Sequence, residues 1–177
     1  MIILGVTGSV GMGKTEACKY FQKKKIEVFD CDQEIASFYK QEEIIIKIKE
    51  KFPSTVSKNK VNKDALAKIV FSDKVKLEYL EKMLYKKLQS KQSFWLRKKI
   101  REKKELIVFD VPLLFEKDNL KKYDIILVLS CKSNIQRIRV LRRKGWNEQR
   151  LEKTLREQIP DYKKQAMTDI IIKTDRG

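Results

Sequence analysis

Gly8-Ser9-Val10-Gly11-Met12-Gly13-Lys14-Thr15 fits GxxxxGK[ST], the phosphate-binding P-loop, and the segments on either side of it decide the fold. Glycines let the backbone wrap tightly, so that successive N–H groups point inward at a polyphosphate. A helix that starts at the loop offers its positive end to the same anion. Lys14 is placed to reach β- and γ-phosphates, and the Thr15 hydroxyl to hold Mg²⁺. The motif needs a buried strand before it and a helix after it. Ile2-Ile3-Leu4-Gly5-Val6 is a short β-branched apolar run, as a central parallel strand should be. From Thr15 to Lys25 the spacing predicts a helix with Ala17, Cys18, Tyr20 and Phe21 on its apolar stripe.

Working outward, sheet signals alternate with helical ones. Ile26-Glu27-Val28-Phe29 reads as a second strand, ending in Asp30-Cys31-Asp32. Residues 33–104 are charged and mostly helical in pattern, broken at Phe52-Pro53 and by a polar loop over 54–62, and no strand is expected there. Three further strands are expected at 106–109, ending in Asp110, at 125–129 and at 170–172. Five strands with helices between them imply an α/β fold with a parallel, doubly wound sheet in three layers, α/β/α. The expected division is a nucleotide-binding core over 1–32 and 105–177, a helical insertion over 33–104, and a lid at 134–156 within the core. In such sheets ligands sit at the carboxyl ends of the strands, where the P-loop, the Asp30–Asp32 turn and Asp110 all fall.

Composition narrows the chemistry. A chain of 177 residues is one domain's worth, with room for an inserted subdomain. No segment approaches the ~20 apolar residues of a membrane span. The first apolar run stops at Gly5 with no basic stretch before it, so a signal peptide is not expected and the chain is read as cytoplasmic. Cys18, Cys31 and Cys131 form no CxxC pair and there is no histidine, which argues against zinc and against any imidazole mechanism. The net charge is +17, but 32 of the 41 basic residues are lysines spread along the chain. That pattern suits solvated helix faces better than a nucleic-acid patch, and a polyanionic small molecule is the favoured partner.

Phosphoryl transfer needs positioning, charge neutralisation and a group that takes the acceptor's proton, and a carboxylate can fill the last role without histidine. Asp30 and Asp32, two apart, face one side if the segment is extended; alternatively one of them starts the next helix as its cap. Asp110 has the form of a Walker-B carboxylate able to hold Mg²⁺ directly or through water, or else of a loop anchor before Pro112. Four of the nine arginines lie within 137–143. A helix over 134–144, capped by Ser133 or Asn134, puts Gln136, Arg139 and Arg143 on one face, with Gly145 as C-cap or hinge. Arginine forks bind phosphate oxygens bidentately, so a mobile lid over bound ATP fits, as does a plain solvated basic face.

These residues together resemble the dephospho-coenzyme A kinase family over nearly the whole chain. The resemblance begins with Gly5 to Thr15, close to GLTGGIGSGKS, and continues with Val28-Phe29-Asp30-Cys31-Asp32 and Ile35-Ala36. Asn62-Lys63-Asp64-Ala65-Leu66 with Ile69-Val70-Phe71 resembles the family's "R..L...VF" segment. Pro112-Leu113-Leu114-Phe115-Glu116 is the PLLFE signature, the most specific piece. Gln136, Arg139, Arg143 and Gly145 match the lid pattern, and Gln158, Pro160, Lys164 and Asp169-Ile170-Ile171 the closing one. Departures are Ser37, Lys63 and Tyr85-Lys86 in the insertion, and Thr168 and Thr174 near the end.

The resemblance implies a P-loop NTPase fold and transfer of the ATP γ-phosphate, with Mg²⁺, to the ribose 3′-hydroxyl of dephospho-coenzyme A. It implies Asp32, Lys14 and Arg139 as catalytic residues, with ATP held by 8–15 (Gly8, Ser9, Val10, Gly11, Met12, Gly13, Lys14, Thr15), Arg139 and Arg143. The acceptor falls to Asp32, Leu114, Phe115 and Glu116, and the metal to Thr15 and Asp110, the latter through water. A monomer with no nucleic-acid or membrane partner is expected. Two other readings are a P-loop kinase for a nucleoside or nucleotide, which gives no reason for PLLFE, and a nucleic-acid-binding ATP switch, which calls for aromatics along a basic groove.

Overall fold

The structure is a computed structural model and describes residues 1–116 and 120–176. Its elements in chain order are β1 (Ile2–Thr7), α1 (Lys14–Lys23), β2 (Glu27–Asp30), α2 (Cys31–Phe38), α3 (Glu42–Lys51), β3 (Val56–Ser57), β4 (Lys60–Val61), α4 (Lys63–Phe71) and α5 (Lys74–Arg101). There follow β5 (Leu106–Asp110), β6 (Ile125–Ser130), α6 (Ser133–Leu141), α7 (Glu148–Glu157), α8 (Asp161–Ala166) and β7 (Ile170–Lys173). They form two compact units, one of residues 1–30 with 99 onward, the other of residues 31–98.

The first unit is a five-stranded sheet in the order β2-β5-β1-β6-β7, every pair parallel. β1 is its centre because its residues suit burial on both faces: Val6 and Thr7 are fully buried and Leu4 nearly so. Val108 in β5 and Val128 in β6 are equally buried, each worth about 1.5–3 kcal/mol of apolar transfer. The chain leaves β1 to one side for β2 and β5, then to the other for β6 and β7. That reversal makes the C-terminal end of β1 the switch point, and the P-loop grows from it. Register places Asp110 opposite both Val6 and Asp30, so the two carboxylates lie level at the same edge. β7 closes the far side as an edge strand whose Ile170, Ile171 and Ile172 are all exposed. Beside it an apolar groove of about 660 Å³ runs between α1 and β7, lined by Leu4, Ala17, Phe21, Leu127, Ile170 and Ile172.

The second unit packs Phe38, Ile44, Ile48, Leu66, Leu80 and Leu84 into its own core. Asn62 caps α4 by accepting from the Ala65 N–H at 3.1 Å. A groove of about 270 Å³ lies among Tyr39, Leu66, Val70 and Leu84, and Lys63 reaches it with its ammonium 4.9 Å from the Tyr39 ring.

Three local expectations are corrected. Residues 33–104 do contain strands: β3 and β4 form a two-residue antiparallel hairpin turned by Lys58 and Asn59, both at positive φ (48° and 54°). Of the two readings of Asp30 and Asp32 the extended one fails and the helix start is nearer: Asp30 ends β2 and Asp32 lies in the first turn of α2, so the two do not share one side of an extended segment. α6 stops at Leu141 with Lys132 as N-cap and Arg142 as C-cap, so neither Ser133 nor Asn134 caps it, and Arg143 and Gly145 lie beyond it.

Candidate active site

The loop between β1 and α1 is shaped by three glycines. A Cβ on Gly8 would stand 2.7 Å from the Leu129 carbonyl oxygen, which is backbone and cannot give way. Gly11 and Gly13 have φ of +81° and +90°, the left-handed region. Gly13 is the N-cap of α1 and supplies no side-chain cap. In consequence the N–H groups of Gly11, Gly13, Lys14 and Thr15 find no protein acceptor among the described residues. Four backbone donors at an open helix start constitute an anion site. Two glutamines hold the loop from outside: Gln136 Nε2 donates to the Val10 carbonyl at 2.7 Å, and Val10 N–H donates to Gln158 Oε1 at 3.2 Å. Met12 packs beneath, 3 % exposed, with the Cys131 N–H on its sulfur. Gly8→Ala is expected to displace the loop, lowering stability by about 1–3 kcal/mol and weakening nucleotide binding more than it weakens folding; calorimetric titration beside a thermal melt separates the two.

Lys14 Nζ pairs with Asp110 Oδ1, and both side chains are largely buried, 17 % and 7 % exposed. Cys18, one turn into α1, lies beside the same carboxylate. Burial first, and then the Asp110 charge and hydrogen bond, push its thiol from 9.0 up to about 12. In the unfolded chain the thiol deprotonates near its ordinary value, while the folded protein keeps the proton to about pH 12. Stability from this group is therefore complete below pH 9 and falls as pH rises through 12, at up to about 1.4 kcal/mol per pH unit. Cys18→Ala should flatten that part of the alkaline stability curve, as urea midpoints measured from pH 8 to 11 would show.

Asp32 sits in the first turn of α2, where the helix end favours a carboxylate. Arg139, on α6, is half-buried and donates through Nη1 to Thr174 Oγ1 at 3.0 Å and through Nη2 to the Thr174 carbonyl at 2.5 Å. Thr174 Oγ1 also donates to the Met12 carbonyl at 3.1 Å, so the residue after β7 ties Arg139 to the P-loop. Arg143 is exposed. Arg137 pairs with Glu148 at 2.8 Å, and Asn147 caps α7 by accepting from the Arg150 N–H at 2.9 Å.

The 112–116 loop turns inward. Leu114 and Phe115 are buried against Ile126 and Val128, and neither side chain faces solvent. Glu116 Oε1 accepts from the Ile159 N–H at 2.9 Å and pairs with Lys164 Nζ at 2.8 Å. The sequence offers Gln158 and Lys164 only as pattern matches, Gln136 as part of the arginine face and Glu116 as an acceptor residue; the structure puts both glutamines on the P-loop and turns Glu116 inward onto Lys164.

Among the described residues no three His, Cys, Asp or Glu groups stand close enough together to hold a metal. The donor set still fits Mg²⁺. That ion takes few protein oxygens and keeps its waters, and here the Thr15 hydroxyl and the Asp110 carboxylate are the oxygens beside the anion site.

An open P-loop at the switch point of a parallel sheet, with a buried carboxylate from the adjacent strand, defines a P-loop nucleotide-binding protein. The chain belongs to the dephospho-CoA kinase family, whose model matches residues 2–177. A dephospho-CoA kinase of Bartonella quintana is 36% identical over 176 residues, 99% of this chain and 90% of that protein. The crystal structure of TT1252 from Thermus thermophilus superposes with a TM-score of 0.86 at 25% identity, over 98% of this chain and 88% of that one. Dephospho-CoA kinase from Campylobacter jejuni shares the fold, with a TM-score of 0.73 at 20% identity over 99% and 89% of the two chains. No helix among the described residues is long and apolar enough to cross a membrane.

Proposed function

We propose that this chain transfers the γ-phosphoryl group of ATP to the ribose 3′-hydroxyl of dephospho-coenzyme A, releasing ADP and coenzyme A. The observation that carries the reading is the set of four open N–H donors at the start of α1, beside the Lys14–Asp110 pair, in a chain of this family.

The P-loop amides hold the β- and γ-phosphates, and Lys14 exchanges part of its pairing with Asp110 for a γ-phosphate oxygen. Thr15 and Asp110 would hold the metal, Asp110 through water, and Mg²⁺ would supply positive charge that offsets the negative charge of the phosphates. Asp32 orients the acceptor hydroxyl and accepts its proton as the 3′-oxygen bonds to phosphorus and the bond to the β-phosphate oxygen breaks. Arg139 has five donors and spends two bonds on Thr174, so it can turn donors to the phosphoryl group, with Arg143 following as residues 134–156 close as a lid. The insertion over 33–104 receives the acceptor, its groove with Lys63 suiting an apolar arm beside a phosphate. The buried Leu114 and Phe115 act by fixing the backbone of the 112–116 loop on the acceptor side. The reaction needs one copy of the chain and no nucleic acid or membrane, and belongs in the cytoplasm.

ADP release by the purified protein with Mg²⁺-ATP tests this, with dephospho-coenzyme A as acceptor and adenosine and AMP as controls. ADP formed only with dephospho-coenzyme A, and coenzyme A found by mass, is the expected result. Stimulation by a control instead would overturn the acceptor assignment.

A further inference from the structure

Lys164 is fully buried, and its only ionic partner among the described residues is Glu116, itself 11 % exposed. The contact is close, 2.8 Å, but its angle falls short of a hydrogen bond, and Glu116 Oε2 has no partner among the described residues. A buried ion pair with unmet hydrogen bonds is a poor source of stability, since an apolar pair of similar volume usually does as well or better. Its geometry suggests another use. The same Glu116 Oε1 that faces Lys164 accepts from the Ile159 N–H at 2.9 Å. The residue before Ile159 is Gln158, whose Oε1 takes the Val10 N–H of the P-loop at 3.2 Å. Pro160 stiffens the next position, and its carbonyl accepts from the Lys164 N–H at 3.2 Å. Residues 158–164 are thus held at one end by the P-loop and along their length by the 112–116 loop.

We propose that Glu116 and Lys164 form a buried latch that sets the position of the P-loop through Ile159, Gln158 and Val10. They are positioning residues, acting on nucleotide binding and transfer through other groups and not by touching either substrate. Lys164 holds the carboxylate in place, the carboxylate holds the Ile159 amide, and Gln158 is thereby fixed against Val10. If the carboxylate is removed, Gln158 loses its register and the anion cradle loosens, and displacements near 1 Å at a reacting centre cost about 10²-fold in rate.

The inference rests on the reading of the P-loop as the ATP site, and its test is made without an acceptor so that the two can fail separately. A single substitution strands a buried charge, so two paired variants of the full chain are compared, each uncharged at both positions. Glu116→Met/Lys164→Met removes the acceptor of the Ile159 amide. Glu116→Gln/Lys164→Met keeps it. Thermal melting reports the fold, calorimetry the MgATP affinity, and steady-state kinetics the rate and KM values. The expected result is that both pairs fold, that the Met/Met pair binds MgATP about tenfold or more weakly with kcat reduced by up to about 10²-fold, and that the Gln/Met pair recovers most of the MgATP affinity. A purely structural role would shift melting temperatures and leave MgATP affinity the same in both pairs, and that would overturn the latch. A raised KM for dephospho-coenzyme A with parental MgATP affinity would overturn it too, making Glu116 an acceptor contact. If the parent binds MgATP but does not phosphorylate dephospho-coenzyme A, the proposed acceptor is wrong and the affinity comparison still decides the latch.

Discussion

Asp32→Asn is expected to abolish most turnover while MgATP still binds, with kcat falling by about 10²–10⁴-fold, the range for loss of a general base. Asparagine keeps the size of aspartate and can still hydrogen-bond a hydroxyl, but it cannot take the proton that must leave as the 3′-oxygen attacks. Asp32 lies in the first turn of α2, and losing a favourable charge–dipole interaction there costs about 0.3–1 kcal/mol. ADP formation under single-turnover conditions, beside calorimetric MgATP binding, is the check. Wild-type turnover in the variant would remove Asp32 from the reaction. Asp30→Asn is the companion variant: Asp30 ends β2 and stands opposite Asp110 in register, two residues from the helical position.

The second large effect belongs to Lys14. Lys14→Ala should lower kcat by about 10²–10³-fold, as expected when one preorganised donor to the transition-state charge is lost. It also leaves Asp110, 5 % exposed, without its cation, and breaking a buried pair from one side costs about 3–5 kcal/mol. Activity and stability would then fall together for different reasons. Lys14→Ala/Asp110→Asn separates them, because the second substitution removes the stranded charge and should restore the melting temperature without restoring transfer. Recovery of transfer in the double variant would mean that Lys14 serves only to neutralise Asp110.

The sheet was legible because most of its strands are apolar runs rich in β-branched residues, and three of the five carry a chemical punctuation mark at the end: Gly8 after β1, Asp30 on β2, Asp110 on β5. Those marks survive in any single sequence because the chemistry sits at strand ends. What was not legible depended on contacts between distant residues or on very short elements. β3 and β4 hold two residues each, so no alternation can develop; the signal was Asn59, a residue tolerant of positive φ, in a polar stretch. Asp30-Cys31-Asp32 allows both an extended path and a helix start without fixing the residue at which strand becomes helix, and in the structure Asp32 falls in the first turn of α2. Lys164 shows the limit most clearly. It is fully buried and paired with a residue 48 positions earlier, yet in a chain with 32 lysines it looks like any solvated one. Its neighbour Lys163 is exposed, and composition treats the two alike.

The abundance of lysine has its own consequence at the open margin of the sheet. β7 presents three exposed isoleucines next to an apolar groove, the kind of margin along which chains add to one another. A net charge of +17 works against that encounter before any contact forms. The guard is as weak as its range, about 10 Å at 0.1 M salt and about 3 Å at 1 M. Colloidal behaviour should therefore run opposite to that of a protein whose copies attract through opposite charges: added salt removes the repulsion and strengthens apolar association, so this chain is best dispersed in dilute buffer.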